Sequence, residues 1–161
     1  MNEFQESLQD LMIENGLNNS KLAKDLDISE DTISGYFVSG FYPKIDIAIK
    51  LADYFDCSLD FLFGLTDIKN KEYELANKNI LDNFNRNFAK ILKNSNISNA
   101  QAMKALKMGE YTMYRWRKGT FPKTINLISI SKYLEVSIDY LLGNDKDEWN
   151  YWRKFERFNR G

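Results

Sequence analysis

The sequence predicts an all-α protein built from two tandem five-helix units, and three observations carry that expectation. Apolar residues recur at the i, i+3, i+4 spacing of a helix, as in Leu8, Leu11, Met12 and again in Phe88, Ile91, Leu92, which gives one buried stripe on a polar helix. Neither half shows the period-two alternation of a half-buried strand. The halves also align at a constant offset. Phe4 falls on Phe84, Leu8 on Phe88, Leu11 on Ile91, Met12 on Leu92, Leu17 on Ile97, Leu26 on Leu106, Ile28 on Met108 and Ile33 on Met113, all 80 positions apart. After one deletion in a turn, Pro43 meets Pro122, Cys57 meets Val136 and Gly64 meets Gly143, 79 apart. Such self-similarity marks a duplicated unit of roughly 60 residues.

Each element has its own signal. Helix one of each unit is the apolar stripe itself. Helix two follows the capping residues of "NNS" and "ISN", and helix three follows "DIS" and "KMG". In the second unit helix three is expected from Gly109 to Lys118, with Met113 and Trp116 inward. Pro43 and Pro122 stand near the start of helix four, and Ser58 and Ser137 cap helix five. The expected divisions are an acidic domain over 1–67, a linker over 68–83, a basic domain over 84–145 and a tail over 146–161. The linker lacks Gly and Pro and is rich in helix formers, so a helix running into the second unit is expected. In the tail, Trp149, Trp152, Phe155 and Phe158 stand three apart with Arg153, Lys154, Arg157 and Arg160 between them. This reads as an aromatic and basic helix used for packing or dimerisation, with a nucleic-acid or membrane role as the lesser alternative.

Composition removes whole classes of chemistry. The 161 residues contain no histidine and one cysteine, which excludes histidine-based acid–base or triad chemistry, the usual zinc sets and an internal disulfide. Cys57, aligned with Val136, reads as a small core residue. No enzyme activity, cofactor or metal is expected. With no apolar run of about 20 residues and no secretion signal in "MNEFQESLQD", a cytoplasmic protein without membrane contact is expected. The net charge of −1 hides an asymmetry: residues 1–67 hold four lysines against 13 carboxylates, net −9, and residues 68–161 hold 18 basic against 10 acidic residues, net +8. Halves so different are suited to different partners, or to each other.

The segments "SKLAKDLDIS", "EDTISGYF", "SGFYP" and "IKLADYFDCSLDFLFG", with their partners "AQAMKALKMG", "EYTMYRWRKG", "TFP" and "SISKYLEVSIDYLLG", resemble the Cro and phage-repressor helix-turn-helix family, the XRE family. The likeness covers residues 4–64 and 84–143. It implies a lambda-repressor-like fold in which helix two crosses the DNA backbone and helix three enters the major groove of double-stranded DNA. Carried over by position to the second unit, it implies base contacts from Glu110, Tyr111, Tyr114 and Arg115, and phosphate contacts from Asn99, Arg117, Lys118 and Lys123. Arginine suits guanine O6 and N7, glutamate accepts from cytosine N4, and tyrosine can touch a thymine methyl. Much of the family has glutamine where this chain has Asn19 and Asn99, which reach less far.

In the first unit helix three offers Glu30, Asp31, Ser34 and Gly35 at those positions, just after Asp25 and Asp27. Carboxylates repel a duplex. Asp25, Asp27, Glu30 and Asp31 are therefore expected to face a protein partner or to support a dimer. The resulting expectation is a sequence-specific transcriptional regulator of the phage or mobile-element repressor kind, a homodimer reading DNA mainly with its second domain. The alternative is an inhibitor or adaptor whose acidic domain imitates DNA toward a nucleic-acid-handling protein, with DNA binding secondary.

Overall fold

The computed structural model describes residues 1–69 and 79–144. All regular structure among them is helical. The chain divides into two compact units, residues 1–72 and 73–161.

The first unit contains α1 (Glu3–Glu14), α2 (Asn19–Leu26), α3 (Glu30–Ser39), α4 (Ile45–Tyr54) and α5 (Leu59–Leu62). Four of the five starts are closed by a side chain, which satisfies amides that have no partner inside the helix. Asn2 accepts from the Gln5 amide at 2.9 Å while the Gln5 side chain returns to the Asn2 amide at 2.7 Å, a full capping box. Asn18, Ser29 and Ser58 cap α2, α3 and α5. Helix α4 lacks a side-chain cap and follows Pro43 and Lys44. The helices close over Phe4, Leu8, Leu11, Leu22, Ile33, Leu51, Cys57 and Leu62, all essentially inaccessible. Burying each large side chain contributes about 1.5–3 kcal/mol. Tyr42 closes the turn after α3 over the core, its ring 6.0 Å from Phe4 and 6.1 Å from Phe63. Its neighbour Phe41 points to solvent.

The second unit contains α6 (Ile80–Asn94), α7 (Asn99–Ala105), α8 (Thr112–Arg117), α9 (Thr124–Leu134) and α10 (Ile138–Leu141). Contacts of the first unit recur here at the offsets of 80 and 79. Phe84 meets Trp116 edge-on at 5.3 Å, as Phe4 meets Tyr36 at 5.5 Å. Asn87 donates to the carbonyl of Tyr140, as Ser7 donates to that of Phe61. Left-handed residues pair too: Gly16 with Asn96, Asp27 with Lys107, and Asp56 with Glu135, all at φ between 52° and 62°. Only Gly avoids a penalty in this region, so a non-Gly residue held there by a helix end signals a geometry the rest of the unit imposes. Gly64 and Gly143 show a further match. At φ +72°, a Cβ on Gly64 would stand 2.6 Å from the Cβ of Glu3, and one on Gly143 would collide with the side chain of Asn83.

The units differ at helix three. The expected helix from Gly109 begins instead at Thr112, with Glu110 and Tyr111 in the preceding turn. Ser29 supplies a hydroxyl that accepts from the Thr32 amide at 3.1 Å; Gly109, at the matching position, has no side chain to offer. Only its carbonyl accepts from Thr112, so the first turn of the longer helix lacks its cap.

Helix α6 starts at Ile80, inside the stretch expected to be linker, and Ile68 and Lys69 are not helical. Residues 70–78 of that linker, and the tail with Trp149, Trp152, Phe155 and Phe158, lie outside the described residues.

Candidate nucleic-acid interface

In the second unit the turn and helix α8 are held from behind. Thr112, Met113 and Trp116 are buried, and α8 packs on α6. The side-chain amide of Asn85 donates to the Trp116 carbonyl at 3.1 Å. What remains outward is a mixed polar face. Tyr111 and Tyr114 are 68% and 58% exposed, and Glu110, Arg115, Arg117 and Lys118 are exposed with them. Lys118 Nζ lies 5.5 Å from the Tyr114 ring centre, a cation–π contact that steadies both side chains. Among the described residues Arg115 donates to the Thr112 hydroxyl, at 3.4 Å. No described carboxylate lies within ion-pair distance of Arg115, Arg117, Lys118 or Lys123.

Asn99 is the first residue of α7 and is exposed. Ser98 and Gln101 close a capping box there, with Gln101 donating its amide to Ser98 Oγ at 3.1 Å and accepting from the Ser98 amide at 2.8 Å. This leaves the Asn99 side chain outside the cap. Lys123 is the exposed residue before α9. The structure thus groups Tyr114, Arg115 and Arg117 on one short helix with Lys118 at its C-terminal cap, sets Glu110 and Tyr111 in the turn before it, and puts Asn99 and Lys123 at the starts of two other helices. Across residues 79–144 there are ten basic and four acidic residues, a net of +6.

The first unit is chemically opposite. The Asn19 amide donates to Ser34 Oγ at 3.3 Å, tying the start of α2 to the middle of α3. The four carboxylates expected to face a partner stand in different local settings. Asp25 accepts from Lys21 Nζ at 2.7 Å and from the Tyr54 hydroxyl at 2.7 Å. The lysine first, then the tyrosine, hold its carboxyl below the usual range, and Asp25 in turn raises the Tyr54 hydroxyl. Asp27 is the left-handed cap of α2. Glu30 and Asp31 occupy the first turn of α3, where the positive end of the helix favours them.

Sequence reasoning missed an apolar feature here. Ile13 and Phe41 are 71% exposed and Val38 is 85% exposed. An open groove of about 550 Å³ runs beside α3, lined by Met12, Ile13, Leu17, Glu30 and Phe37. Ile13 sits just past the periodic stripe of α1, and that break in the pattern was its available signal.

Among the described residues no group of three or more His, Cys, Asp or Glu could hold a metal ion. No helix among them is long and apolar enough to cross a membrane.

Residues 8–62, from the middle of α1 to the end of α5, match the family model described as helix-turn-helix, a DNA-binding family of the XRE type. No curated protein and no solved structure matches the chain.

Proposed function

We propose that the chain is a sequence-specific transcriptional regulator, of the phage or mobile-element repressor kind, that reads double-stranded DNA mainly with its second unit. The observation that carries this is the face of α8 and its two caps: Arg115, Arg117 and Lys118 with Tyr111 and Tyr114, exposed and unmatched by any described carboxylate, on the element equivalent to the one that family members point at DNA. Cations that displace condensed counterions supply most of the affinity, and side chains at base edges supply the choice of sequence. Arg115, Tyr114, Tyr111 and Glu110 take the second role. Arg117, Lys118, Lys123 and Asn99 take the first.

One small head gives modest affinity, so a homodimer placing two heads on a pseudo-palindrome is the natural arrangement, with the first unit or the tail joining the subunits. The chain would act in the cytoplasm, without cofactor or catalysis. Selection of bound sequences from random duplex DNA tests this. The full chain should enrich one motif, and Arg115→Ala should degrade it. Failure to enrich any motif would reject the reading.

The exposed Glu30, Asp31 and Val38 favour a second reading, an inhibitor or adaptor working through the acidic unit. The two separate by which face matters: removing Arg115, Arg117 and Lys118 abolishes regulation, whereas removing Glu30 and Asp31 abolishes inhibition of a protein.

A further inference from the structure

The groove beside α3 has a mixed lining, the apolar Met12, Ile13, Leu17 and Phe37 beside the polar Gln9, Asn18, Asn19 and Ser20 and the acidic Glu30. Met12, Leu17 and Phe37 line it, Ile13 stands 71% exposed at one wall, and Glu30 stands at the other end of the α3 stripe from Phe37. Val38 and Phe41 continue apolar exposure past Phe37. Helix α1, which forms one wall, carries Glu3, Glu6, Asp10 and Glu14 and no basic residue. Glu6 and Asp10 lie one turn before Gln9 and Ile13, so they neighbour the groove. Among nearby cations Lys21 pairs with Asp25 at 2.7 Å and Lys69 with Glu14 at 3.9 Å, while Lys24 is exposed on α2. Single exposed apolar residues are ordinary, but Ile13 at the groove, with Val38 and Phe41 following Phe37 in the chain, adds exposed apolar surface to a concave one.

Charge decides the occupant. A DNA backbone would meet Glu30 and Asp31 on a unit whose residues 1–67 hold 13 carboxylates against four lysines. A second copy using the same face would set those carboxylates against their own duplicates, in a unit of net −9. A segment with apolar side chains along one stripe and Lys or Arg beside it meets both demands, in the helix-in-groove mode. We propose that this groove docks a basic amphipathic helix of a partner protein, its apolar anchors entering between Ile13 and Phe37 and its cations meeting Glu30 and the carboxylates of α1. The inference rests on the reading that the first unit does not hold DNA.

The test uses the full chain and a fluorescent helical peptide of roughly 16 residues, with Leu at i, i+3, i+4 and i+7 and Lys elsewhere. The same Leu pattern with Glu, and a scrambled Leu/Lys peptide, serve as controls. The patterned Leu/Lys peptide should bind, and both controls should bind at least tenfold more weakly. Ile13→Gln, Val38→Gln and Glu30→Gln, each at an exposed site, should each weaken the peptide several-fold with unchanged circular dichroism. Equal binding of the scrambled peptide, or indifference to all three substitutions, overturns the proposal. So does a loss of self-association in these variants without peptide binding, which would assign the face to a second copy. DNA binding measured on the same variants should not change. A loss of sequence preference there would overturn the division of labour itself, whereas peptide failure with intact DNA binding defeats this inference alone.

Discussion

The side-chain amide of Gln5 donates to the carbonyl oxygen of Tyr36 at 2.7 Å, with a second, longer bond to the carbonyl of Phe37. Carbonyls in the last turn of a helix have no partner within it, so a side chain from α1 completes the end of α3. Asn85 does the same for Trp116 in α8. In both units helix one therefore fixes helix three by a polar contact as well as by the Phe4–Tyr36 or Phe84–Trp116 ring pair.

Gln5→Ala should lower stability by about 1–3 kcal/mol, because it strands buried carbonyls and opens the capping box at Asn2. Asn85→Ala, at a less buried site with a longer bond, should cost less, about 0.5–1.5 kcal/mol. Urea unfolding of the two variants measures the difference, and equal costs would contradict the burial argument.

Gly109→Ser should restore the missing cap. The backbone there is free of the left-handed region, and the nearest atom to an added Cβ is Thr112 Oγ1 at 3.6 Å. A hydroxyl accepting from Thr112 should extend α8 back over Glu110 and Tyr111 and add about 1 kcal/mol. A rise in helical circular dichroism together with the denaturation midpoint checks it; a fall in either would mean the turn is required as it stands.

Arg115→Ala should weaken binding to the selected site by about 1–3 kcal/mol and relax base choice at one position. Lys118→Ala should weaken specific and random DNA alike and lower the salt slope by about one. The two are told apart by titrating both DNAs across a salt series.

Tyr36 gives the first unit a limit at high pH. Burial, and secondarily Asp46, push its hydroxyl from 10.0 up to about 12. The folded unit thus prefers the neutral phenol. That contribution is complete below pH 10, where the unfolded chain is also neutral, and is lost as pH rises toward about 12. Tyr36→Phe should remove this component of the alkaline decline, as followed by stability measured between pH 9 and 12. An unchanged decline would trace it to other groups.

The periodic core was plain in the sequence because the 80-residue offset pairs Phe4, Leu8, Leu11 and Ile33 with Phe84, Phe88, Ile91 and Met113, and every one of these is buried. The serine caps at Ser29, Ser58 and Ser137 were equally plain. Less visible were contacts made by polar residues at positions that read as surface. Gln5 and Asn87 are 5% and 4% exposed, yet an amide gives no periodic signal of burial, since its burial depends on a carbonyl brought close by the tertiary fold. The start of α8 was misread because the alignment transferred a helix boundary without transferring the hydroxyl that makes it. Arg115 on α8 and Lys118 at its cap stand exposed, whereas Asp25 is bound to Lys21 and Tyr54 across α2 and α4, a pairing that only the fold creates.

Trp116 sits 3% exposed, edge-on to Phe84, at the position where the first unit has Tyr36. Residues 1–69 contain no tryptophan, and the chain's other two are Trp149 and Trp152. With those two replaced by Phe, red-edge fluorescence arises from a single indole at the back of α8. Melting of the second unit then becomes an optical event to which the first is dark, so the two can be resolved within one intact chain without cutting it.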